Sequence, residues 1–160
     1  KEAEGFDCLT MGKPEGPGCY CYVNNVLRGV VERLIGDYRW VIIDNEAGLE
    51  HLSRRTTRRC DTLLVIASDT PVALRAAQRI SVLADELKIK TGRKVLLVNA
   101  AAGDIRPERL AGLRDLYAGR IPYDEAVERS GAAGGSIWDL PSSSPAYLAV
   151  RTFVEGLIRK

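Results

Sequence analysis

The sequence has little cysteine, little net charge and no long apolar run, and each shortage closes off a class of function. Four cysteines in 160 residues do not make a secreted disulfide scaffold and point instead to a reducing cytoplasm. No apolar stretch approaches the ~20 residues of a membrane-spanning helix, and the first residues carry no signal-peptide pattern. Twenty-three basic residues against 21 acidic ones leave a formal charge of +2. That balance gives no electrostatic case for nucleic acid or an anionic membrane. The remainder, 46% hydrophobic and 28% charged, is ordinary for a globular protein. A single domain over residues 1–160 is the expectation at this length.

What is present begins with Gly18-Cys19-Tyr20-Cys21, next to the Pro/Gly-rich stretch Gly12–Pro17. Two thiols one residue apart supply two soft metal ligands, and a closed structural zinc site needs four. Cys8 and Cys60 fall in strand-like segments and are expected to be small buried residues. A second copy across a two-fold axis would complete the site with two cysteines from each chain. A disulfide between neighbours spaced i, i+2 would be strained. A helix beginning just after the pair would favour the thiolate form. Soft thiolates suit zinc, Cu(I) or, in a flatter geometry, nickel.

Along the chain, apolar runs alternate with amphipathic stretches. Phe6–Met11 reads as a strand, and Tyr22–Ile35 as a helix with Val23, Val26, Leu27, Val30, Val31 and Leu34 on one face. Trp40–Ile43 reads as a buried strand and Leu49–Thr57 as a short helix. Asp61–Ala67 is another strand. The helix Pro71–Lys90, capped by Asp69 or Thr70, repeats Ala73, Ala76, Ala77, Ile80, Leu83, Ala84 and Leu87. Lys94–Val98 and Gly119–Ile121 are strands. Pro107–Tyr117 and Tyr123–Ser130 are short helices, and Gly131–Ser144 is a Gly/Ser-rich loop. Pro145–Arg159 closes the chain as a helix, with Tyr147, Val150, Val154 and Leu157 turned inward. This alternation predicts an α/β fold, a mostly parallel sheet with helices on both faces. Ligands in such folds bind at the carboxyl ends of the strands. Here those ends carry Gly12, Asp44, Ser68-Asp69, Asn99 and the turn Pro122-Tyr123-Asp124.

The segment Val41-Ile42-Ile43-Asp44-Asn45-Glu46-Ala47-Gly48 places an acid directly after an apolar strand and a glycine four residues later. Such an acid can hold the water shell of a magnesium ion, and such a glycine lets a backbone N–H approach a terminal phosphate. An aspartate capping the following turn is the plainer alternative.

With MGKPEGPGCYCYVNNVLR upstream and DTLLVIASDTPVALRAAQRI downstream, this segment resembles the MinD/nitrogenase-iron-protein class of dimeric ATPases. More narrowly it resembles the CooC-type maturation factors of nickel carbon monoxide dehydrogenase. The resemblance implies a P-loop NTPase-like fold, ATP or ADP with magnesium as cofactor, and a homodimer. It gives Asp44 the magnesium-water role and places Gly48 in the segment that senses the terminal phosphate. Asn99 matches the position that recognises adenine, and Pro122 and Asp124 match the turn beside the base. Cys19 and Cys21 match the pair that binds metal, zinc or nickel, between the subunits. The implied function is nucleotide-gated nickel delivery to a carbon monoxide dehydrogenase-type enzyme in the cytoplasm.

One part of that pattern is missing. No G-x-x-x-x-G-K-[ST] sequence or variant of it occurs, and the prolines after Met11-Gly12-Lys13 cannot open a phosphate-cradling helix. The chain therefore looks like the C-terminal part of such an ATPase, incomplete at the N-terminus. By itself it is expected to bind and hydrolyse ATP poorly. The alternatives are a non-catalytic interaction module on the same fold and a ParA/MinD-type positioning ATPase. The last helix has no basic amphipathic character, which argues against membrane positioning. His51, the only histidine, reads as a surface or capping residue beside the switch segment. Arg54-Arg55 and Arg58-Arg59 read as a solvated helix face, with phosphate or nucleic-acid binding as the rarer use, and Trp40 and Trp138 as packing residues.

Overall fold

Leu63, Leu64, Val65, Ile66 and Ala67 follow one another without a polar break, the composition of a strand in a parallel sheet. They form the middle of β3 (Arg59–Ser68). The structure, a computed structural model, describes residues 2–3, 5–10, 29–30, 33–45 and 59–159. They divide into two units, Lys1–Arg58 and Arg59–Lys160.

In the second unit, β3 pairs in parallel with β4 (Lys90–Ala101), and β4 pairs in parallel with β5 (Tyr117–Pro122). The order is β3-β4-β5. Helix α1 (Pro71–Glu86) makes the first crossover, starting from Thr70, whose hydroxyl accepts a hydrogen bond from the Ala73 N–H. Thr70 is a favoured cap type and Pro71 fits the first turn, where an N–H has no partner anyway. One face of the sheet, carrying Val65, Ala67, Leu96 and Val98, packs against Leu74 and Ala77 of α1. Ile105, Leu110 and Leu113 complete that core. Leu110 ends a single turn, α2 (Pro107–Leu110), which runs into a tighter turn through Leu116. Leu96 and Val98 are fully buried. On the opposite face, α4 (Pro145–Ile158) lies over β5 beside a solvent-open groove of about 370 Å³. Helices therefore cover both faces of a parallel sheet, as the sequence predicts. Helix α3 (Glu125–Ala132) follows β5, and the stretch after it includes a short turn, Ile137–Asp139, closed by reciprocal Ser136 and Asp139 bonds. Among the described residues no helix is long and apolar enough to cross a membrane.

In the first unit, β1 (Glu2–Ala3) pairs antiparallel with β2 (Phe6–Asp7). A turn at Ile35–Asp37 ends the helical residues before it, where the sequence places the stop. The Tyr38 hydroxyl donates to the Asp7 carboxylate, and the Arg39 guanidinium lies 5.9 Å from the Trp40 ring centre.

Several expectations change. The strand expected over Phe6–Met11 is only β2, and Cys8 beyond it is exposed rather than buried. Trp40–Ile43 forms no strand: no backbone partner pairs with it among the described residues, and Ile42 is 93% exposed. Trp40 and Trp138 are largely exposed and do not pack a core. Cys60 does lie in β3 but is only half-buried. Helix α1 stops at Glu86, not Lys90. Lys88 takes a left-handed φ of 55°, and the Ile89 N–H bonds back to the Ala84 carbonyl. This reversal buries Ile89 and sends Lys90–Gly92 into β4. On α1, Leu74 is buried and Ala76 exposed. The stretch expected as a helix to Tyr117 is α-helical only to Leu110 and continues as a 3-10 helix over Ala111–Leu116. The inward face of α4 also differs. Of the four expected inward, Leu157 is half-buried, together with Ala149 and Phe153, while Tyr147, Val150 and Val154 are 40–45% exposed. Periodicity could not choose between two apolar stripes on this helix.

Leu96→Ala is expected to cost about 2–5 kcal/mol, because the side chain is buried and its neighbours cannot close the void. Ile66→Ala, at an exposed position of β3 away from α4, should cost about 1 kcal/mol or less. Urea denaturation of both variants measures the contrast.

Candidate functional site

In a parallel sheet the strand ends gather on one edge, and the register decides which residues meet there. Ser68 at the end of β3 lies opposite Asn99 of β4, and Ala101 lies opposite Pro122 at the end of β5. The β4–β5 pairing is interrupted between Val98 and Ala101, where Ala100 takes φ 52°. Such a left-handed residue is uncommon for a side chain bearing Cβ and marks a bulge. Here it leaves Asn99 exposed at the sheet edge. The Tyr123 N–H then bonds the Ala101 carbonyl at 3.0 Å, fixing the Pro122 turn beside β4.

Asp124 is the most connected residue of this edge. It is the N-cap of α3, with Oδ1 accepting from the Ala126 N–H at 2.9 Å. Its other oxygen, Oδ2, accepts from the Ser144 hydroxyl at 2.6 Å and the Ala146 N–H at 3.3 Å. Ser144 is 2% exposed and is itself the N-cap of α4, accepting from the Tyr147 N–H. One carboxylate thus sits at the positive ends of two helices. The Ser144 hydroxyl holds the Asp124 carboxyl below the usual carboxylate range; burial opposes it, and the backbone N–H groups of Ala126, Ala146 and Val127 add to the lowering.

Further along the edge, Arg109 donates to the Asp69 carbonyl at 3.0 Å and pairs with its carboxylate at 3.1 Å. Arg120 pairs with the exposed Asp104 at 3.2 Å. The Tyr123 hydroxyl bonds Glu128, which raises the phenol above its ordinary range.

The structure brings Asn99, Pro122 and Asp124 to this one edge. Asp44 lies in the unit Lys1–Arg58, exposed, in a stretch without regular structure. Cys19, Cys21, Gly48, His51, Arg54, Arg55 and Arg58 lie outside the described residues. Among the described residues no three His, Cys, Asp or Glu side chains cluster as metal ligands. Sequence reasoning placed Ser144 at the end of a loop and missed its bond to Asp124. The signal available was Ser144-Pro145, a cap residue followed by a first-turn proline.

No family model matches the chain. Curated relatives do. The chain is 40% identical to the "Uncharacterized ATP-binding protein MJ0685" of Methanocaldococcus jannaschii, over 99% of its own length and 64% of the relative's. It is 31% identical to the "Carbon monoxide dehydrogenase accessory protein CooC" of Rhodospirillum rubrum, over 89% of the chain and 54% of that protein. The chain is thus similar to an ATP-binding protein and to a carbon monoxide dehydrogenase accessory protein. A second M. jannaschii ATP-binding protein, MJ0823, is 33% identical over 81% of the chain and 52% of its own length. The chain thus spans between about half and two-thirds of the curated relatives it matches.

The lowered Asp124 carboxyl makes a signed prediction. Its contribution to stability is full above the unfolded carboxylate value of about 3.9 and is lost as pH falls through the lower folded value. In acid titrations followed by circular dichroism, the stability gap between wild type and Asp124→Asn is expected to be constant from pH 7 to about 4.5 and to shrink below it.

Proposed function

We propose that this chain carries the base-binding part of a nucleotide-dependent, CooC-like metallochaperone. The supporting observation is the shared edge: the register sets the exposed Asn99 beside the fixed Pro122 turn, in a chain 40% identical to an ATP-binding protein. An exposed amide can donate to and accept from the polar rim of adenine. A proline held against the sheet offers an apolar surface for a ring. Asp124 serves this site indirectly, because protein donors already engage both its oxygens. Asp44 is an exposed carboxylate suited to the water shell of magnesium, which would offset phosphate charge. Gly48 would approach the terminal phosphate. Cys19 and Cys21 would bind zinc or nickel as thiolates, shared with a second copy, and nickel would be the cargo for a carbon monoxide dehydrogenase-type client.

The sequence contains no phosphate loop, so ATP should gain little over adenosine in this chain. Calorimetry or NMR titration is expected to give millimolar binding for both, within about threefold of each other. A micromolar affinity for ATP with none for adenosine would contradict a base-side site. The metal half of the proposal is tested by elemental analysis with native mass. About half a metal per chain in a dimer, lost in Cys19→Ser/Cys21→Ser, is the expected result. A metal-free monomer would contradict it.

A further inference from the structure

Helix α4 is held to the fold unevenly. Its body lies over β5 beside a solvent-open groove of about 370 Å³ lined by Leu97, Gly119, Ile121, Leu148, Ala149 and Phe153, among others. Tyr147, Val150, Val154 and Ile158 form an outward apolar stripe, each at least 40% exposed. The charged pairs of the helix, Arg151–Glu155 and Arg159–Glu155, are internal or at its end and tie it to nothing else. Among the described residues, the hydrogen bonds joining α4 to the strand ends run through Asp124, directly to the Ala146 N–H and through the buried Ser144 hydroxyl. Asp124 is also two residues from Pro122, at the turn pinned to Ala101. The helix is loosely packed along its length and firmly anchored at one end, and that end is the ligand edge.

We infer that Asp124 and Ser144 form a positioning latch, through which occupancy of the Asn99–Pro122 edge and docking of α4 on the sheet depend on each other. The inference rests on the nucleotide reading above. A ligand that stiffens the Pro122 turn fixes the Asp124 carboxylate, and with it the first turn of α4. By linkage, a released α4 lets the turn relax and weakens the ligand by the same factor. The Ser144 hydroxyl is the replaceable part, because it carries the bond to Asp124 and the cap of α4 at once.

The test is amide hydrogen exchange by NMR on the full chain, without and with millimolar adenosine, for wild type, Ser144→Ala, Ser144→Thr and Asp124→Asn. Ser144→Ala is expected to speed exchange in α4 about tenfold, the scale of a lost cap, while β4 amides stay protected. It should weaken adenosine about three- to tenfold, and Ser144→Thr should restore both. Adenosine should slow α4 exchange in wild type and not in Ser144→Ala. If Asp124→Asn fails to fold, the Ser144 pair carries the comparison. Adenosine that binds Ser144→Ala as it binds wild type, leaving α4 exchange unchanged, overturns the latch while the nucleotide reading stands. Wild type that shows no adenosine shifts at Asn99 or Tyr123 overturns that reading and the latch with it.

Discussion

The arrangement of the strand-end edge depends on one carboxylate. A strand end in a parallel sheet delivers polar groups to a common line, but it does not fix the path of the chain beyond the strand. Asp124 does so by accepting hydrogen bonds from the first turn of α3 and from Ser144 and Ala146 at the start of α4. Two sets of N-terminal N–H groups, each otherwise without a helical partner, are served by one anion. The bonds span 20–22 residues of sequence, so they bring the last helix back to the end of the last strand. The rotation of α4 is set in the same way: its anchored first turn directs Ala149 and Phe153 toward β5 and leaves Tyr147 and Val154 outside.

Beneath that edge the core is conventional in its physics. β4 is covered on both faces along Val95–Val98, while the strands beside it are less buried. β5 shows the marks of a managed edge, being short, ended by proline, and bent at Gly119, whose φ of 150° suits only glycine. The pairing interruption at Ala100 lies at the carboxyl end of the sheet, where a bulge re-aims a side chain. Here it turns Asn99 out to solvent while the register continues at Ala101.

The sequence made the architecture of Arg59–Lys160 legible because its signals were mutually consistent. The unbroken run Leu63–Ala67, the Thr70-Pro71 start and the spacing Ala73, Ala77, Ile80, Ala84 each point to one state. Boundaries were legible only where a side chain marked them. The end of α1 carries no glycine; Lys88 adopts the left-handed turn itself, driven by burial of Ile89 one residue before its own strand begins to pair, Lys90 with Arg59. The face of α4 was not legible, because two apolar stripes satisfy the same periodicity and a bond 20 residues away decides between them. Trp40–Ile43 shows the converse: an apolar run reads as a strand, but a strand exists only where a neighbour pairs with it. Of the site, Asn99 and Pro122 could be named from their position after apolar runs. The burial of Ser144 beneath Asp124 is a tertiary fact that no local pattern carries.

The central claim is that the Asn99–Pro122 edge receives an adenine ring. Intermolecular nuclear Overhauser effects from the H2 and H8 protons of adenosine to the protein test it most directly. Contacts to the side chains of Asn99 and Pro122 are expected, with none to the outward stripe of α4. Contacts confined to that stripe, or to the groove beside α4 and β5, would contradict it.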